Sequence, residues 1–377
     1  MKRSLVIILL LSVLTTQAQE LNFWQKVNNM LTIVKKIDTA YIYQPKQGFT
    51  LGLFSSVQRA VINVTGMFTV NTNDKPTQSG VSKYSLRDRL SPKIGLELGY
   101  GKLVLGYGVE VGPKRAYKKQ ALGLNILGKS WGLHFNYFNF HNQFKASVII
   151  GEEGQEDYYI EEAVSDNPAK MECLYVDGYY VFNNKRFAYP AAYKAGLVQR
   201  RTAGSWMVTA RYMQGYLYNS PEAALESFSL VDGLYTIQAS VGGGYSANFV
   251  CWHKNPSDIR DKGLRNITIN LTALPVITAI NYLRIKDYEY NENGEKVGEV
   301  VSKAYCYPMP NYVGSAAIAF TLDRFFISTR FVYNWFYFLS SDAFISGNLQ
   351  APSIVDELNF RGSFRDWAVK LLFTYKF

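Results

Sequence analysis

Histidine is the side chain best suited to acid–base chemistry near neutral pH, and this 377-residue sequence contains three, His134, His141 and His253. A histidine beside a serine nucleophile can hydrolyse an ester. None of the three is flanked by a nucleophile motif, and no H-E-x-x-H or paired-histidine metal spacing occurs. The sequence therefore predicts no catalytic residue, no metal site and no cofactor.

A second set of polar residues lies at alternating positions, on one face of the segments that carry them. On this spacing we expect their side chains to share a polar interior. Mixed charges there can pair and seal a lumen, or they can line a narrow selective path. The set comprises Lys93, Glu97, Glu110, His134, Asp177, Arg211, Arg330, Asp366 and Lys370.

The end of the chain shows which elements position this face. From Trp367 to Phe377 every second residue is apolar, which is typical of a half-buried strand. At the edge of a soluble sheet such an aromatic strand would promote aggregation, whereas a transmembrane barrel places this face in lipid. Phe377, the last residue, resembles the signal that barrel assembly machinery recognises, so this machinery is an expected partner.

The same alternation repeats along the chain and predicts an all-β fold, an antiparallel outer-membrane β-barrel. In its clearest hairpin, Gly101-Lys102 predicts a two-residue type II′ turn that sets Lys93 opposite Glu110. Counting Gly48 to Val70 as one strand gives about 12 strands (range about 10–14). We prefer this even number because it returns both chain ends to the periplasm. Asn183 to Gly204 is long for a periplasmic connection.

The connections follow from the same pattern. Tight turns are expected at 101–102, 128–129 and 322–323. Long outer segments are expected at 71–91, 113–119, 141–170, 215–233, 284–310 and 339–364, and the segment 284–310 itself reads as a protruding hairpin.

The first residues predict export. Two basic residues, a short apolar run and small residues before Gln19 are typical of a signal peptide cleaved after Ala18. We therefore predict three parts: a signal peptide over 1–18, a periplasmic leader over 19–47 with an amphipathic helix at Leu21 to Lys36, and the barrel over 48–377. The expected location is the cell outer membrane.

Charge and cysteine content constrain the partners. The formal net charge is +10, but lysines and arginines are scattered, and export removes nucleic acid as a partner. Outer-membrane lipid and lipopolysaccharide are the expected surroundings. Cys173, Cys251 and Cys306 allow one disulfide with a spare thiol, or three unpaired residues.

Three short blocks carry a resemblance to a known family. The first is Lys36 to Thr39 with Tyr41-Ile42, the second is Asp177 to Asn183 followed by Arg186 to Ala192, and the third is Gln199 to Ser205. Together they resemble an uncharacterised Bacteroidota barrel family, a domain of unknown function. The resemblance implies an outer-membrane location over roughly residues 36 to 377, and it brings no activity or ligand.

Two classes of function therefore remain open. The first is a narrow or occluded channel for a small solute, or an envelope interaction protein with surface loops. The alternative is a lipid-modifying hydrolase with His134 or His141 as its base. The residues favour the first class, without an enzymatic activity.

Overall fold

A computed structural model describes residues 37–45, 48–72, 75–87, 90–112, 120–150, 159–218, 231–257, 262–290, 296–339 and 355–377. The predicted signal peptide and the helix at Leu21 to Lys36 lie outside these ranges. Within them, no helix is long and apolar enough to cross a membrane.

Nearly all of the described chain is β-structure, because β-branched and aromatic residues alternate with small and polar ones along each segment. The strands are β1 Ile42–Tyr43, β2 Phe49–Thr72, β3 Lys75–Arg87, β4 Ser91–Tyr100, β5 Leu103–Glu110, β6 Gln120–Leu127, β7 Trp131–Ile150, β8 Tyr159–Val181, β9 Val198–Gln199, β10 Ala203–Tyr218, β11 Val231–Lys254, β12 Arg265–Tyr290, β13 Lys296–Tyr305, β14 Met309–Leu322, β15 Phe325–Leu339 and β16 Val355–Lys376.

The main sheet is a closed antiparallel barrel. The sheet has 14 strands, but two pairs of them lie end to end. Strands β3 and β4 pair with successive parts of β2, and β13 and β14 pair with successive parts of β12. Counting each pair as one leaves 12 strands around the barrel. Strand β16 closes the barrel against β2, from Lys376 opposite Thr50 to Val355 opposite Val70. Closure gives the terminal strand a partner on each side, as its aromatic face requires. The predicted strand number is confirmed.

Alternation separates an apolar wall from a polar lumen. On β4, Leu96 is 52% exposed and Leu98 is 58% exposed, and both point outward. On β12, Asn270 is fully buried and points inward. Large exposed apolar residues beside buried amides are the reverse of a soluble protein, and they fit a barrel whose outer surface meets hydrocarbon.

Several strands run well past the 9–11 residues that a bilayer requires. Strand β2 has 24 residues and β12 has 26. The prediction of loops at 71–91 and 141–170 was wrong in part, because β3 and the ends of β7 and β8 far from the tight turns occupy much of these segments. The hairpin of β5 and β6 is shorter, so β3 pairs directly with β7 beyond it, from Leu86 opposite Phe144 to Gly80 opposite Ile150.

The tight turns fix the register. Gly101 has φ +56°, as the first central position of a type II′ turn requires, and Lys93 lies opposite Glu110 as the alternation predicts. The turn predicted at 322–323 lies one residue later, because β14 continues through Leu322 and β15 begins at Phe325. Asp323 takes the positive φ of 54° there.

The connection from β8 to β10 folds back into the lumen. We call residues 187–199 the plug. They include a 3₁₀ helix at Tyr189–Ala192, with Pro190 in its first turn, where the missing N–H of proline costs no hydrogen bond. Its Phe187, Ala188 and Ala192 have no exposed surface. The unusual length of this connection is therefore explained by the volume that it fills inside the barrel.

Candidate functional site in the lumen

The plug is bonded to strands on several sides of the barrel. The Tyr193 hydroxyl donates to Asn270 Oδ1 on β12 and lies 3.2 Å from Ser315 Oγ on β14. Asn248 Nδ2 on β11 donates to the Ala188 carbonyl at 2.8 Å. Lys194 Nζ donates to the Gly101 carbonyl in the β4–β5 turn, on another part of the wall. These contacts make the plug a floor across the lumen at the end of the barrel where the tight turns lie.

Close packing completes the floor. The rings of Tyr179 and Tyr189 meet edge to face at 4.8 Å, and Tyr189 meets Tyr193 at 4.9 Å. Ala192 packs in one apolar cluster with Phe54 and Phe326 from opposite sides of the barrel closure. Small residues in the 3₁₀ helix allow its backbone to approach the wall this closely.

The described part of the predicted leader, residues 37–45, is bonded to the plug and to Arg186 beside it. Strand β1 pairs with β9, and Asp38 accepts from Arg186 Nε at 3.2 Å. Gln199, with no exposed surface, accepts from the Ala188 amide at 2.9 Å and donates to the Arg186 carbonyl at 2.7 Å. The leader block and the central blocks that resemble a known family therefore contact one another.

Above the plug lies a chamber of about 290 Å³. Its wall combines aromatic rings with charged and amide side chains. They include Gln58, Lys93, Glu97, Tyr175, Asp177, Tyr179, Tyr189, Arg211, Arg330, Asn334, Asp366 and Lys370. A smaller space of about 70 Å³ adjoins it beside Lys194, with Glu97, His134, Arg330 and Lys370 shared between the two.

Most of the charges in the chamber are matched. Arg211 Nε binds Asp177 Oδ1, and Arg211 Nη1 reaches Asn334 Oδ1 at 2.8 Å. Lys370 Nζ binds Glu97 Oε1. The first pair joins the neighbouring strands β10 and β8, and the second joins β16 to β4 across the intervening β2. Both therefore tie the wall together and neutralise charge in the lumen.

A third group of polar residues is joined by the side-chain amide of Gln58, which bridges a lysine and an aspartate. Lys93 Nζ donates to Gln58 Oε1 at 2.7 Å, and Gln58 Nε2 donates to Asp366 Oδ1 at 3.0 Å. Asn334 Nδ2 also donates to Asp366, at 3.3 Å. The carboxylate of Asp366 is therefore held by two amides, with a lysine one step away.

Arg330 differs from these cations. Its guanidinium lies over the Tyr193 ring of the plug, 4.2 Å from the centroid. Among the described residues no carboxylate pairs with it, and its Nε has no hydrogen-bond partner. It is a stacked cation at the boundary between the plug and the chamber.

An apolar layer closes the other side of the chamber. Its members lie farther from the plug than the polar residues on the same strands. Phe336 follows Asn334 on β15, Phe364 precedes Asp366 on β16, and the two rings lie 6.3 Å apart. The layer consists of Ala60, Ile62, Phe138, Met171, Cys173, Tyr175, Met213, Leu217, Leu283, Cys306, Phe336 and Phe364. Hydrophobic constrictions of this kind can stop ions by excluding water.

The predicted polar set is thus distributed over one lumen. All of its members except Glu110 line the chamber, and Glu110 is buried opposite Lys93 at the outer end of the β4–β5 hairpin. His134 is bonded to Asn125 Oδ1 at 2.8 Å inside the lumen. Phe377 is 64% exposed on the outer face, and its amide donates to the Phe49 carbonyl at 2.9 Å.

The geometry gives no support to hydrolysis at the outer wall. His134 faces the lumen, and His253 lies within β11 and contacts Asn255 and Asn266. His141 lies within β7 and not at a strand end. The three cysteines are free, and the described residues contain no group of three or more potential metal ligands among His, Cys, Asp and Glu.

Sequence reasoning missed the plug residues and the bridging amides. Tyr193, Lys194 and Gln199 fall in a segment without alternation, so no pattern assigned them a direction. Its unusual length and the family-like blocks were the available signals. Gln58 and Asn334 do lie at inward positions, but alternation does not distinguish a bridging amide from any other uncharged residue in the lumen, because its role depends on partners from other strands.

Comparison with known proteins identifies a matching family and two similar solved structures. The model described as "Domain of unknown function (DUF4421)" matches residues 36–353. Among solved structures, the chain is similar to the outer membrane protease OmpT from Escherichia coli, with a TM-score of 0.34 and 7% identity over 88% of this chain and 97% of that one. It is also similar to the toluene transporter TodX of P. putida, with a TM-score of 0.20 and 7% identity over 88% and 90% of the two chains. No curated protein matches the sequence.

Proposed function

The chain belongs to the DUF4421 family, which brings no activity with it, and we propose its function from the lumen: an outer-membrane barrel that holds a small polar solute in an occluded chamber and passes it when the plug moves. The observation that carries this proposal is the chamber of about 290 Å³ between the plug and the apolar layer. Ligand pockets usually measure about 300–1,000 Å³, so this one fits a single small molecule.

The two ends of the chamber are closed in different ways. The plug is held by hydrogen bonds from separate strands, such as Tyr193 to Asn270, which can break without disturbing the barrel ladder. The apolar layer is made of side chains such as Phe336 and Phe364, which can change rotamer. A closed resting state with two separately movable seals supports passage of one solute at a time, in contrast to an open pore.

The setting proposed for this activity follows the sequence. We propose export by the signal peptide over 1–18, a porin-like barrel in the outer membrane, and contact with lipid and lipopolysaccharide through the apolar wall. The exposed aromatic residues Trp206 and Phe325, 66% and 42% exposed near the tight-turn end, support an aromatic girdle at that interface. Bacteroidota origin stays a prediction from the resemblance.

Current through single refolded barrels in a planar bilayer tests the proposal. The native protein is expected to be almost silent. A variant with Tyr189 to Lys194 replaced by glycine and serine, combined with Phe336→Ala and Phe364→Ala, removes both seals and is expected to give a steady current.

The matched control carries Phe331→Ala and Phe373→Ala on the same two strands, where the rings face outward. It should remain as silent as the native protein. A large steady current through the native protein, or silence of the unsealed variant in its folded form, would contradict an occluded channel. Phospholipid turnover by the same preparations would instead favour the hydrolase.

A further inference from the structure

We infer that the chamber is a binding site for a small organic oxyanion, a carboxylate or a phosphate monoester, with Arg330 as its counter-ion at the plug and the Tyr175 hydroxyl, on the other side of the chamber, as a second donor to the bound molecule. The inference deepens the proposed function and rests on it for the chamber being occupied by a solute. Two independent observations carry it, one for each residue.

The first observation is the charge balance of the chamber. Its described lining residues include four cations, Lys93, Arg211, Arg330 and Lys370, and three carboxylates, Glu97, Asp177 and Asp366. The pairs Arg211 with Asp177 and Lys370 with Glu97, and the chain from Lys93 through Gln58 to Asp366, use every one of these carboxylates. Lys93 also lies opposite the buried Glu110, which does not line the chamber. Arg330 is therefore the lining cation for which the described residues provide no carboxylate partner.

The geometry of Arg330 suits an incoming oxyanion. One face of its planar guanidinium is stacked on Tyr193 at 4.2 Å, which orients the group without using any of its N–H donors. Its Nε is buried and has no partner among the described residues. A guanidinium held in this way presents a fork that matches carboxylate and phosphate oxygens.

The second observation is Tyr175. It is 5% exposed, lines the chamber, and its buried hydroxyl has no hydrogen-bond partner among the described residues. Buried hydroxyl groups usually have a partner, so an unpaired one at a chamber wall indicates a ligand acceptor. The Phe138 ring at 5.7 Å and the Tyr179 and Tyr189 rings around the chamber suit an organic body in the ligand.

Binding in detergent solution tests the site without a membrane. The probes are benzoate, phenyl phosphate, inorganic phosphate and, as the neutral control, benzyl alcohol, each measured by isothermal titration calorimetry. Benzoate or phenyl phosphate is expected to bind, and the better of the two identifies the oxyanion. Benzyl alcohol binding as tightly as both would overturn the inference, as would the absence of binding by both organic anions. Binding of inorganic phosphate alone would also overturn it, since the organic body would then contribute nothing.

Variants assign the binding to the two residues. Arg330→Gln should weaken the better anion at least about tenfold, the loss expected for a charge-assisted hydrogen bond. Tyr175→Phe should weaken it about two- to tenfold, and it breaks no hydrogen bond of the empty protein. The control Arg365→Gln removes the same charge from the outer face of β16, where Arg365 is exposed, and should bind like the native protein.

Further measurements distinguish a loss of binding from a loss of folding and from a loss of transport. Far-UV circular dichroism establishes that each variant is folded, and Arg330→Lys, which keeps the charge, should bind better than Arg330→Gln. Equal binding by Arg330→Gln and the native protein would overturn the inference. Anion binding without current in the unsealed barrel would leave this site standing and remove the channel, and current without anion binding would do the reverse.

Discussion

At the residue scale, Lys194 bonds the plug to the barrel wall, and the strength of this attachment depends on whether its side chain is protonated. It is 6% exposed, and burial lowers the pKa of its ammonium to about 7, although Glu97 acts in the opposite direction. Its Nζ donates to the Gly101 carbonyl and lies 3.4 Å from the Leu103 carbonyl. A buried ammonium with only carbonyl partners is destabilised when charged.

The sign of the pH effect follows from linkage. Between about 7 and the ordinary value of 10.5, the seated side chain is neutral while a released one is charged, so the seated plug gains stability as pH rises through this window. We expect residual channel openings to become rarer from pH 6 to pH 9. Lys194→Met removes the titration and should flatten the profile, whereas Lys102→Met in the adjoining turn should retain it. A flat native profile would contradict this role.

At the element scale, the β4–β5 hairpin shows how register decides which side chains reach the lumen. Leu96 faces Tyr107 and Leu98 faces Leu105 on the outer side, while Lys93 and Glu110 meet on the inner side. A shift of one residue would move the charges into lipid and the leucines into the lumen, so the hydrophobic pattern strongly specifies this pairing.

Cysteine pairs test this register in the folded barrel. Cysteines at Lys93 and Glu110 should be joined rapidly by a short thiol crosslinker, because directly opposite Cβ atoms lie about 4.5–5.5 Å apart. Cysteines at Lys93 and Val109 point to opposite faces and should not be joined. Crosslinking of the second pair in preference to the first would show a different turn.

At the scale of the whole molecule, closure depends on the last strand. Strand β16 pairs with β15 on one side and β2 on the other, and Phe377 completes its outer face beside Tyr375, with ring centroids 5.0 Å apart. Because Phe377 lies at the interface end, a charge there costs the folded barrel only about 0–1 kcal/mol.

Assembly in cells therefore separates recognition from stability. We expect Phe377→Asp to reduce the amount of folded barrel in the outer membrane severalfold, far more than the stability change accounts for, while Phe377→Tyr retains native amounts. Quantitative immunoblotting of membrane fractions measures both. Native amounts of Phe377→Asp would exclude an assembly signal at this residue.

The sequence by itself determined the wall of this protein. Period-two alternation assigns each strand residue to lipid or lumen, and parity of the strand number follows from where the chain ends must lie, so the barrel, its 12 strands and the register of the β4–β5 hairpin were predictable. These features depend on local pattern, because a single exchange of faces would expose charge to hydrocarbon.

Only the tertiary structure decided what closes the lumen. The plug lacks periodicity, and its Tyr193, Lys194 and Gln199 are fixed by partners far away in sequence, such as Asn270 and Gly101. The pairing of inward charges was likewise open, since alternation gives the face of a side chain and not its neighbour across the lumen. Among the described residues Arg330 has no carboxylate partner, because Glu97, which lines both spaces beside it, is bonded to Lys370.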